Sequence, residues 1–269
     1  MLVVVKAGGK VLENGLPSEV VTDIKTVAQK NKVIFVHGGG VEVTKTAQTL
    51  GKEQRFIVSP NGFRSRYTDR ETVEIYTMVM VGRLNRQVVT ALESRGVRAI
   101  GLSGLDGQLI KAERKKRLVI VNEKGRRMAI DGGYTGRIKE INTHLLRLLV
   151  EAGYLPVVSP VAMSEEYEPL NIDGDRTAAN IAGALKADML ILLTDVEGLV
   201  VDGKVVPGLR LIDAKEMLPK IGPGMITKVH AAIDALEKGV REVVISCGTG
   251  STPISSAMNH STGTVIKNG

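Results

Sequence analysis

The chain has 269 residues, of which 43% are hydrophobic and 24% charged, a balance typical of a globular protein and not of a disordered chain or coiled coil. The formal net charge of +7 favours an anionic partner, but only 3% of the residues are aromatic. This argues against nucleic-acid binding through stacking platforms. No apolar run approaches the roughly 20 residues needed to cross a bilayer, and the N-terminal segment is too short for a signal peptide. We therefore expect a cytoplasmic protein without membrane contact.

Residues that ligate metals or form disulfides are few. The single cysteine, Cys247, cannot form a disulfide within the chain, and the four histidines are spread along it. The sequence therefore predicts neither a disulfide-stabilised fold nor a zinc site.

Short β-branched strands alternate with amphipathic helical patterns. The pattern starts with LVVVKA, EVVTDIKTVAQK, KVIFVH and EVTKTAQTLG, and a long helix follows over residues 69–95 before the strand GVRAIGLSG. Residues 108–137 instead show turn signals and polar alternation, which predict antiparallel surface hairpins. The alternation then resumes with INTHLLRLLVEAG, LPVVSPVAM, DRTAANIAGALKA, DMLILLTD, GMITKVHAAIDALEKG and REVVISCG. It predicts an α/β fold whose first lobe ends near Pro160.

Two strands lead into glycine loops that precede helical patterns. These are VVKAGGK, residues 4–10, and VHGGGVE, residues 36–42. Glycine lets backbone amides approach a ligand closely, and a helix N-terminus adds positive potential. We therefore expect these loops to bind an anion. A tight turn that requires glycine explains either loop equally well. The GxxxxGK(S/T) and GxGxxG signatures are absent, which weakens the P-loop and dinucleotide-binding interpretations.

Several charged residues stand where an apolar residue or a simple helix cap would suffice. Lys6 ends an apolar strand, where a buried lysine is costly unless it meets an anion. Asn171, Asp173 and Asp175 alternate before a helix, and Lys228 lies just inside another. A helix N-cap explains one aspartate but not the alternating series.

The motifs VVKAGGK, FVHGGG, GFRSRYTD, GLSGLDG, LNIDGDRTA, LLTDVEGL and GPGMITKV occur in this order. Together they resemble the amino acid kinase family, and within it the N-acetylglutamate kinase branch, over nearly the whole chain. The resemblance implies a three-layer α/β/α sandwich around a mainly parallel sheet of about eight strands. It also implies a single domain with an acceptor-binding lobe over residues 1–160 and an ATP-binding lobe over residues 161–269.

Enzymes of this branch use ATP with Mg²⁺ to convert a side-chain carboxylate into an acyl phosphate. By resemblance, Lys6 and Lys228 neutralise the transferring phosphoryl group and Asp175 orients both lysines. The remaining nucleotide-binding residues implied are Gly8, Gly9, Thr194, Asp195, Gly224 and Met225, and the acceptor-binding residues are Gly39, Gly40, Arg64 and Asn171. Mg²⁺ is expected to be held through the ATP phosphates and not by a direct protein ligand.

The acceptor motif differs from the free N-acetylglutamate pattern by additional residues, and it is followed by a basic hairpin region. Both features resemble the subgroup whose acceptor, 2-aminoadipate or glutamate, is attached to LysW, a small acidic carrier protein, on the routes to lysine or arginine. The carrier contacts expected are Arg66, Tyr67, Lys115, Lys116, Arg117, Arg126 and Arg127.

Other interpretations stay open. Solvated surface charge explains the basic run equally well, in which case the chain phosphorylates free N-acetylglutamate in arginine synthesis. A non-catalytic member that binds nucleotide or an acidic partner is the remaining alternative. We also expect a homodimer formed largely by the 69–95 helix, without the extra N-terminal helix that accompanies feedback-inhibited hexamers.

Overall fold

The computed structural model describes residues 1–201, 203–222 and 224–269. The helices are α1 Ser18–Ala28, α2 Gly40–Thr49, α3 Arg70–Thr77, α4 Asn85–Glu93, α5 Thr143–Glu151, α6 Gly174–Leu185, α7 Leu211–Met217, α8 Met225–Glu237 and α9 Pro253–Met258. The strands are β1 Leu2–Ala7, β2 Lys32–His37, β3 Phe56–Val58, β4 Arg64–Arg66, β5 Ala99–Ser103, β6 Ile110–Arg114, β7 Arg117–Val121, β8 Arg127–Asp131, β9 Gly136–Ile141, β10 Leu155–Ser159, β11 Val161–Met163, β12 Pro169–Asn171, β13 Met189–Thr194, β14 Val200–Val201, β15 Lys204–Val205, β16 Gly208–Arg210, β17 Glu242–Cys247 and β18 Thr264–Lys267.

A central sheet of eight strands organises the molecule, in the order β16-β18-β17-β13-β1-β2-β10-β5. The pairs within β17-β13-β1-β2-β10-β5 are parallel, and β18 runs antiparallel to β17. Side chains of α5, α6 and α8 cover one face, and those of α1, α4 and α9 cover the other. Because both faces are buried, β1 as far as Val5 and β13 as far as Leu193 are continuous apolar runs. The predicted three-layer sandwich is confirmed.

The predicted hairpins are also present. β6 pairs antiparallel with β9, and β7 pairs antiparallel with β8 between them. β6 and β9 extend into a four-stranded sheet with β11 and β12. The segment LPVVSPVAM forms two strands instead of one, because Pro160 has no amide to continue the ladder and the chain passes there from the central sheet to the smaller one.

The predicted long helix is a continuous helical run of α3, a π-helical segment over Met78–Leu84, and α4. Met80 is buried in a core with α2 and α3, as a packing residue should be, whereas Met78 is exposed. Short π-helical segments recur at functional sites, and this one lies against the second glycine loop.

Parallel strands bring their carboxyl ends to a single edge of a sheet, the usual position of ligand sites in open α/β sheets. β1, β2, β10, β13 and β17 all end at this edge. Both glycine loops, which follow β1 and β2, therefore lie at this edge of the sheet. None of the helices in the described ranges is long and apolar enough to cross a membrane.

Candidate active site

A buried aspartate with a lysine on either side lies at this edge. Lys6 at the end of β1 places its Nζ 2.6 Å from Oδ1 of Asp175, in the first turn of α6. Lys228 in the first turn of α8 places its Nζ 3.3 Å from Oδ2. The three side chains therefore come from β1, α6 and α8. The packing of α6 against α8 sets the distance between Asp175 and Lys228. The structure brings together the three residues predicted to be catalytic.

The charges of the lysines dominate the electrostatics of Asp175. Burial alone would raise the pKa of this carboxyl, but the positive charges of Lys6 and Lys228 outweigh it and lower the pKa to about 2. Asp175 is therefore ionised throughout the neutral range, and it holds two ammonium groups at the end of the sheet.

Asp173, the third residue of the alternating series, behaves in the opposite way. It is the N-cap of α6, where its Oδ1 accepts from the Arg176 amide at 2.9 Å. Desolvation by the surrounding protein and the charge of Asp175 raise its pKa, although the residue is solvent-exposed.

The two glycine loops lie against each other. The Gly8 amide donates to the Leu193 carbonyl at 3.1 Å, and the Gly38 amide donates to the Ala7 carbonyl at 2.8 Å. A methyl group on Gly9 would lie 3.4 Å from the nitrogen of Gly39 and 3.5 Å from that of Gly40, so the Gly9 backbone faces both amide nitrogens. A Cβ at Gly39 would collide with Leu84 and Met80 of the π-helical segment. Only glycine fits between the π-helical segment and the opposite loop.

The other predicted nucleotide-binding residues flank this centre. Thr194 is buried at the end of β13 and its hydroxyl donates to Asp195 at 3.1 Å. Asp195 also forms an exposed ion pair with Lys10 at 2.6 Å. Gly224, with φ of 85°, is the N-cap of α8, and Met225 begins that helix ahead of Lys228. A positive φ favours glycine at the cap.

The two arginines of β4 lie in different surroundings. Arg64, the predicted acceptor-binding residue, is exposed and stacks on Phe56 at 3.9 Å. Arg66, a predicted carrier contact, is instead buried, and its Nη2 donates to the Gly40 carbonyl at 2.7 Å and to Thr44 at 2.9 Å. Burial and the charge of Arg64 lower the Arg66 pKa. The second glycine loop is therefore in direct contact with Arg66.

Asn171 lies on the same side of the site. Its Nδ2 donates to the Thr68 hydroxyl at 2.9 Å, and that hydroxyl donates to the Arg66 carbonyl at 3.3 Å. Next to Asn171 in the chain, the Ile172 carbonyl lies 3.4 Å from the buried Tyr76 hydroxyl, which also donates to the Pro160 carbonyl at 3.1 Å. These contacts tie β4, β12 and α3 into one wall beside Gly40.

The predicted carrier residues divide into two groups. Tyr67 is half-buried, with the Arg55 guanidinium 5.2 Å from its ring centre, and Lys115 is half-buried with its pKa lowered by burial and by nearby Arg176. Apart from the buried Arg66, the others lie exposed on or beside the β7–β8 hairpin, which packs against β3, and they are Lys116, Arg117, Arg126 and Arg127. Other cations of the basic run are paired, since Arg137 and Lys139 share Glu113. Among the described residues, no carboxylate pairs with Lys115, Lys116, Arg117, Arg126 or Arg127.

Sequence reasoning missed several residues around the site. His37, Asn85 and Ser159 form a buried polar network beneath the second glycine loop. Phe63 packs against His230 of α8, with ring centres 5.2 Å apart. His37 carried a signal that could have been used, because it is a polar residue at the end of an apolar strand, as Lys6 is.

Comparison with known proteins agrees with this geometry. The sequence profile of the amino acid kinase family matches residues 1–247. The chain belongs to the amino acid kinase family. A LysW-aminoadipate/LysW-glutamate kinase of Saccharolobus solfataricus is 46% identical to this amino acid kinase over 269 residues, 100% of both chains. A protein of Nitrosopumilus maritimus with the same name, given provisionally, is 52% identical over 266 residues, 99% of each chain.

Solved structures share the fold of this amino acid kinase at low sequence identity. The protein smu.665 from Streptococcus mutans UA159 has a TM-score of 0.81 at 24% identity and covers 100% of this chain and 99% of its own. Carbamate kinase from Giardia lamblia bound to AMP-PNP has a TM-score of 0.71 at 16% identity, with 100% and 98% covered. These similarities establish the fold alone.

Proposed function

We propose that this amino acid kinase transfers the γ-phosphoryl group of ATP to the side-chain carboxylate of 2-aminoadipate, or of glutamate, attached to the LysW carrier protein. The Lys6–Asp175–Lys228 assembly supports the transfer step most directly. An acceptor carboxylate has an ordinary pKa near 4, so it is ionised at neutral pH and needs no general base. The obstacle is repulsion between two anions, and positioned positive charge removes it.

Each side of the proposed transfer has residues suited to it. Lys6 and Lys228 neutralise the negative charge of the phosphoryl group during its transfer, and Asp175 keeps both ammonium groups in place. Gly9 offers its amide to the nucleotide phosphates, and Gly8, whose own amide is bonded to the Leu193 carbonyl, lets them approach the backbone closely, with Thr194, Asp195, Gly224 and Met225 around the nucleoside.

The acceptor is held on the opposite side. Gly39 and Gly40 offer amides to it, Arg66 replaces Arg64 as the fork for a carboxylate, and Asn171 contacts the acceptor's amide. Arg66 is buried with backbone and uncharged side-chain partners only, among the residues that the structure describes. A carboxylate would supply the missing negative charge.

Mg²⁺ would be held by the nucleotide phosphates. The oxygens of Asp175 face lysines, and the described residues contain no cluster of three or more metal-ligating side chains. When bound, Mg²⁺ would neutralise phosphate charge and orient the phosphoryl group. The lysines and glycine loops suit a magnesium nucleotide, because they bind phosphate and leave coordination of the ion to the ligand.

The names of the similar proteins and the unpaired cations together support a carrier-bound acceptor. The hairpin region carries Lys116, Arg117, Arg126 and Arg127 on an exposed surface, and Lys115 and Tyr67 are half-buried. Positive charge around a cleft raises the association rate of an acidic macromolecule and makes it sensitive to salt. One methylene separates glutamate from aminoadipate, a difference worth only about 1 to 3 kcal/mol in a pocket, so both acceptors are included.

The same proposal includes a homodimer that packs along residues 69–95 and a cytoplasmic location. It also includes a role in the biosynthesis of arginine as well as lysine. It also assigns the acceptor to residues 1–160 and the nucleotide to residues 161–269.

The test is ATP-dependent acyl phosphate formation, trapped as hydroxamate, at low and at high salt. The acceptors compared are carrier-attached aminoadipate, carrier-attached glutamate and free N-acetylglutamate. We expect turnover on the carrier forms only, with kcat/KM falling as salt rises. Turnover on free N-acetylglutamate alone would refute the carrier assignment and leave the Lys6–Asp175–Lys228 chemistry intact.

A further inference from the structure

A buried histidine lies directly beneath the acceptor loop and takes no part in the transfer proposed above. His37 is the last residue of β2, immediately before Gly38, and is fully buried. Its two ring nitrogens contact different groups: Nδ1 lies 3.0 Å from the Gly38 carbonyl oxygen, and Nε2 lies 2.9 Å from the Ser159 hydroxyl. Each nitrogen therefore has a defined partner.

These contacts determine which nitrogen carries the proton. A carbonyl oxygen can only accept, so Nδ1 must be the donor to Gly38. Burial lowers the pKa of His37 to about 4, so the ring is neutral near pH 7 and Nε2 has a free lone pair. Ser159 can donate to that lone pair, and Asn85 Nδ2 lies 3.3 Å from it. The less common Nδ1–H tautomer is therefore the one that suits both the Gly38 carbonyl and the Asn85 amide group.

The partners of Nε2 are themselves held rigidly. Asn85 Nδ2 donates to the Val157 carbonyl at 2.9 Å, and the single hydroxyl proton of Ser159 is shared between Nε2 and the Met80 carbonyl, which lies 3.1 Å away. Asn85 and Ser159 are both fully buried or nearly so. The ring is therefore fixed between β10 and the helical run that contains the π-helical segment.

The hydrogen bond to Gly38 has a consequence for the next amide. A trans peptide unit is planar, with its C=O and N–H pointing in opposite directions. Because His37 draws the Gly38 oxygen into the interior, the N–H of Gly39 in the same peptide unit must point out of it. The nitrogen of Gly39 faces Gly9 of the opposite loop, and within the described residues it donates to no backbone carbonyl.

We infer that His37 is a positioning residue, which as the neutral Nδ1–H tautomer aims the Gly39 amide at the transferring phosphoryl group and the acceptor. This inference rests on the proposed role of Gly39 in that reaction. His37 touches neither reactant and acts only through the peptide unit that joins Gly38 to Gly39.

Two substitutions separate the donor at Nδ1 from the rest of the ring. The amide nitrogen of asparagine stands three bonds from Cα, as Nδ1 does, whereas that of glutamine stands four bonds away, as Nε2 does. His37→Asn keeps a donor for Gly38, and His37→Gln loses it but keeps a polar group towards Ser159. A misdirected group at the reacting centre costs about 10²-fold in rate. We therefore expect kcat/KM for the acceptor to fall about 10²-fold in His37→Gln, and His37→Asn to recover most of the loss. The KM for ATP should change little in either variant.

A second measurement uses the unaltered protein and does not depend on how the variants fold. Side-chain ¹⁵N NMR distinguishes a protonated from an unprotonated ring nitrogen, and we expect His37 to show a protonated Nδ1 and an unprotonated Nε2 at pH 7. The Nε2–H tautomer, or equal activity of the two variants, would overturn the inference. Failure of the unaltered protein to phosphorylate any acceptor would instead overturn the proposed function, and the NMR result would still decide the tautomer.

Discussion

Replacement of Asp175 by asparagine should destabilise the fold strongly, because it removes the carboxylate that forms ion pairs with both Lys6 and Lys228. The lysines bring the pKa of Asp175 down from its ordinary value of 3.8 to about 2. Each tenfold change in proton affinity corresponds to about 1.4 kcal/mol, so the ionised carboxylate contributes roughly 2 kcal/mol. This contribution is complete above about pH 4 and is lost as the pH falls through about 2.

The substitution costs more than this charge effect, because two buried ammonium groups lose their partner. Removal of one member of a buried ion pair typically costs about 3 to 5 kcal/mol. We expect Asp175→Asn to lower the free energy of unfolding at pH 7 by about 3 kcal/mol, measured by urea denaturation with an unchanged m-value.

Asp173→Asn is the matched control, two residues away on the same helix turn. Asparagine caps a helix as well as aspartate does, and the raised pKa of Asp173 means that its charge opposes folding at pH 7. We expect no loss of stability, or a small gain. The reasoning is refuted if Asp175→Asn lies within about 0.5 kcal/mol of the unaltered protein, the range of a surface substitution.

Three further predictions concern the acceptor side. Arg66→Lys should raise the KM for the acceptor about tenfold or more by loss of the bidentate fork, while Arg64→Lys should not. Steady-state kinetics of both variants tests this, and a larger effect of Arg64→Lys would contradict the assignment of the carboxylate-binding role to Arg66. Gly39→Ala should lower stability by about 1 to 3 kcal/mol, because its methyl group collides with Leu84 and Met80; an unchanged thermal midpoint would show that the loop has room. Reversal of both Lys116 and Arg117 to glutamate should weaken the salt dependence of kcat/KM for a carrier-bound acceptor without changing the KM for ATP, and an unaltered salt dependence would remove these residues from the carrier surface.

The central sheet could be predicted because its strands satisfy local rules. β1 and β13 are buried on both faces, so their apolar runs were recognisable. Lys6 stood out against the first of these runs, since a lysine there is costly without an anion. The ion pair itself joins residues far apart in the chain, and no local pattern specifies it. The motif resemblance, and not periodicity, supplied Asp175 as the partner.

The roles of the two arginines on β4 could not be separated from the sequence. Arg64 and Arg66 are two residues apart on a strand, so alternation assigns them to the same face. Both guanidinium groups lie over Phe56, and only the tertiary contacts of Arg66 with Gly40 and Thr44 distinguish them. His37 was missed for a similar reason, since its partners Asn85 and Ser159 come from distant elements.

The measurement that tests the central claim most directly compares the unaltered protein with Lys228→Ala in the hydroxamate assay, with a carrier-attached acceptor and saturating ATP. Lys25→Ala, an exposed lysine on α1, serves as the control. If Lys228 neutralises the transferring phosphoryl group, its loss should lower kcat about 10² to 10³-fold, with the KM values little changed, because the interaction is strongest in the transition state. Lys25→Ala should behave as the unaltered protein does. A Lys228→Ala variant with undiminished kcat would contradict the assignment of this buried assembly as the phosphoryl-transfer centre.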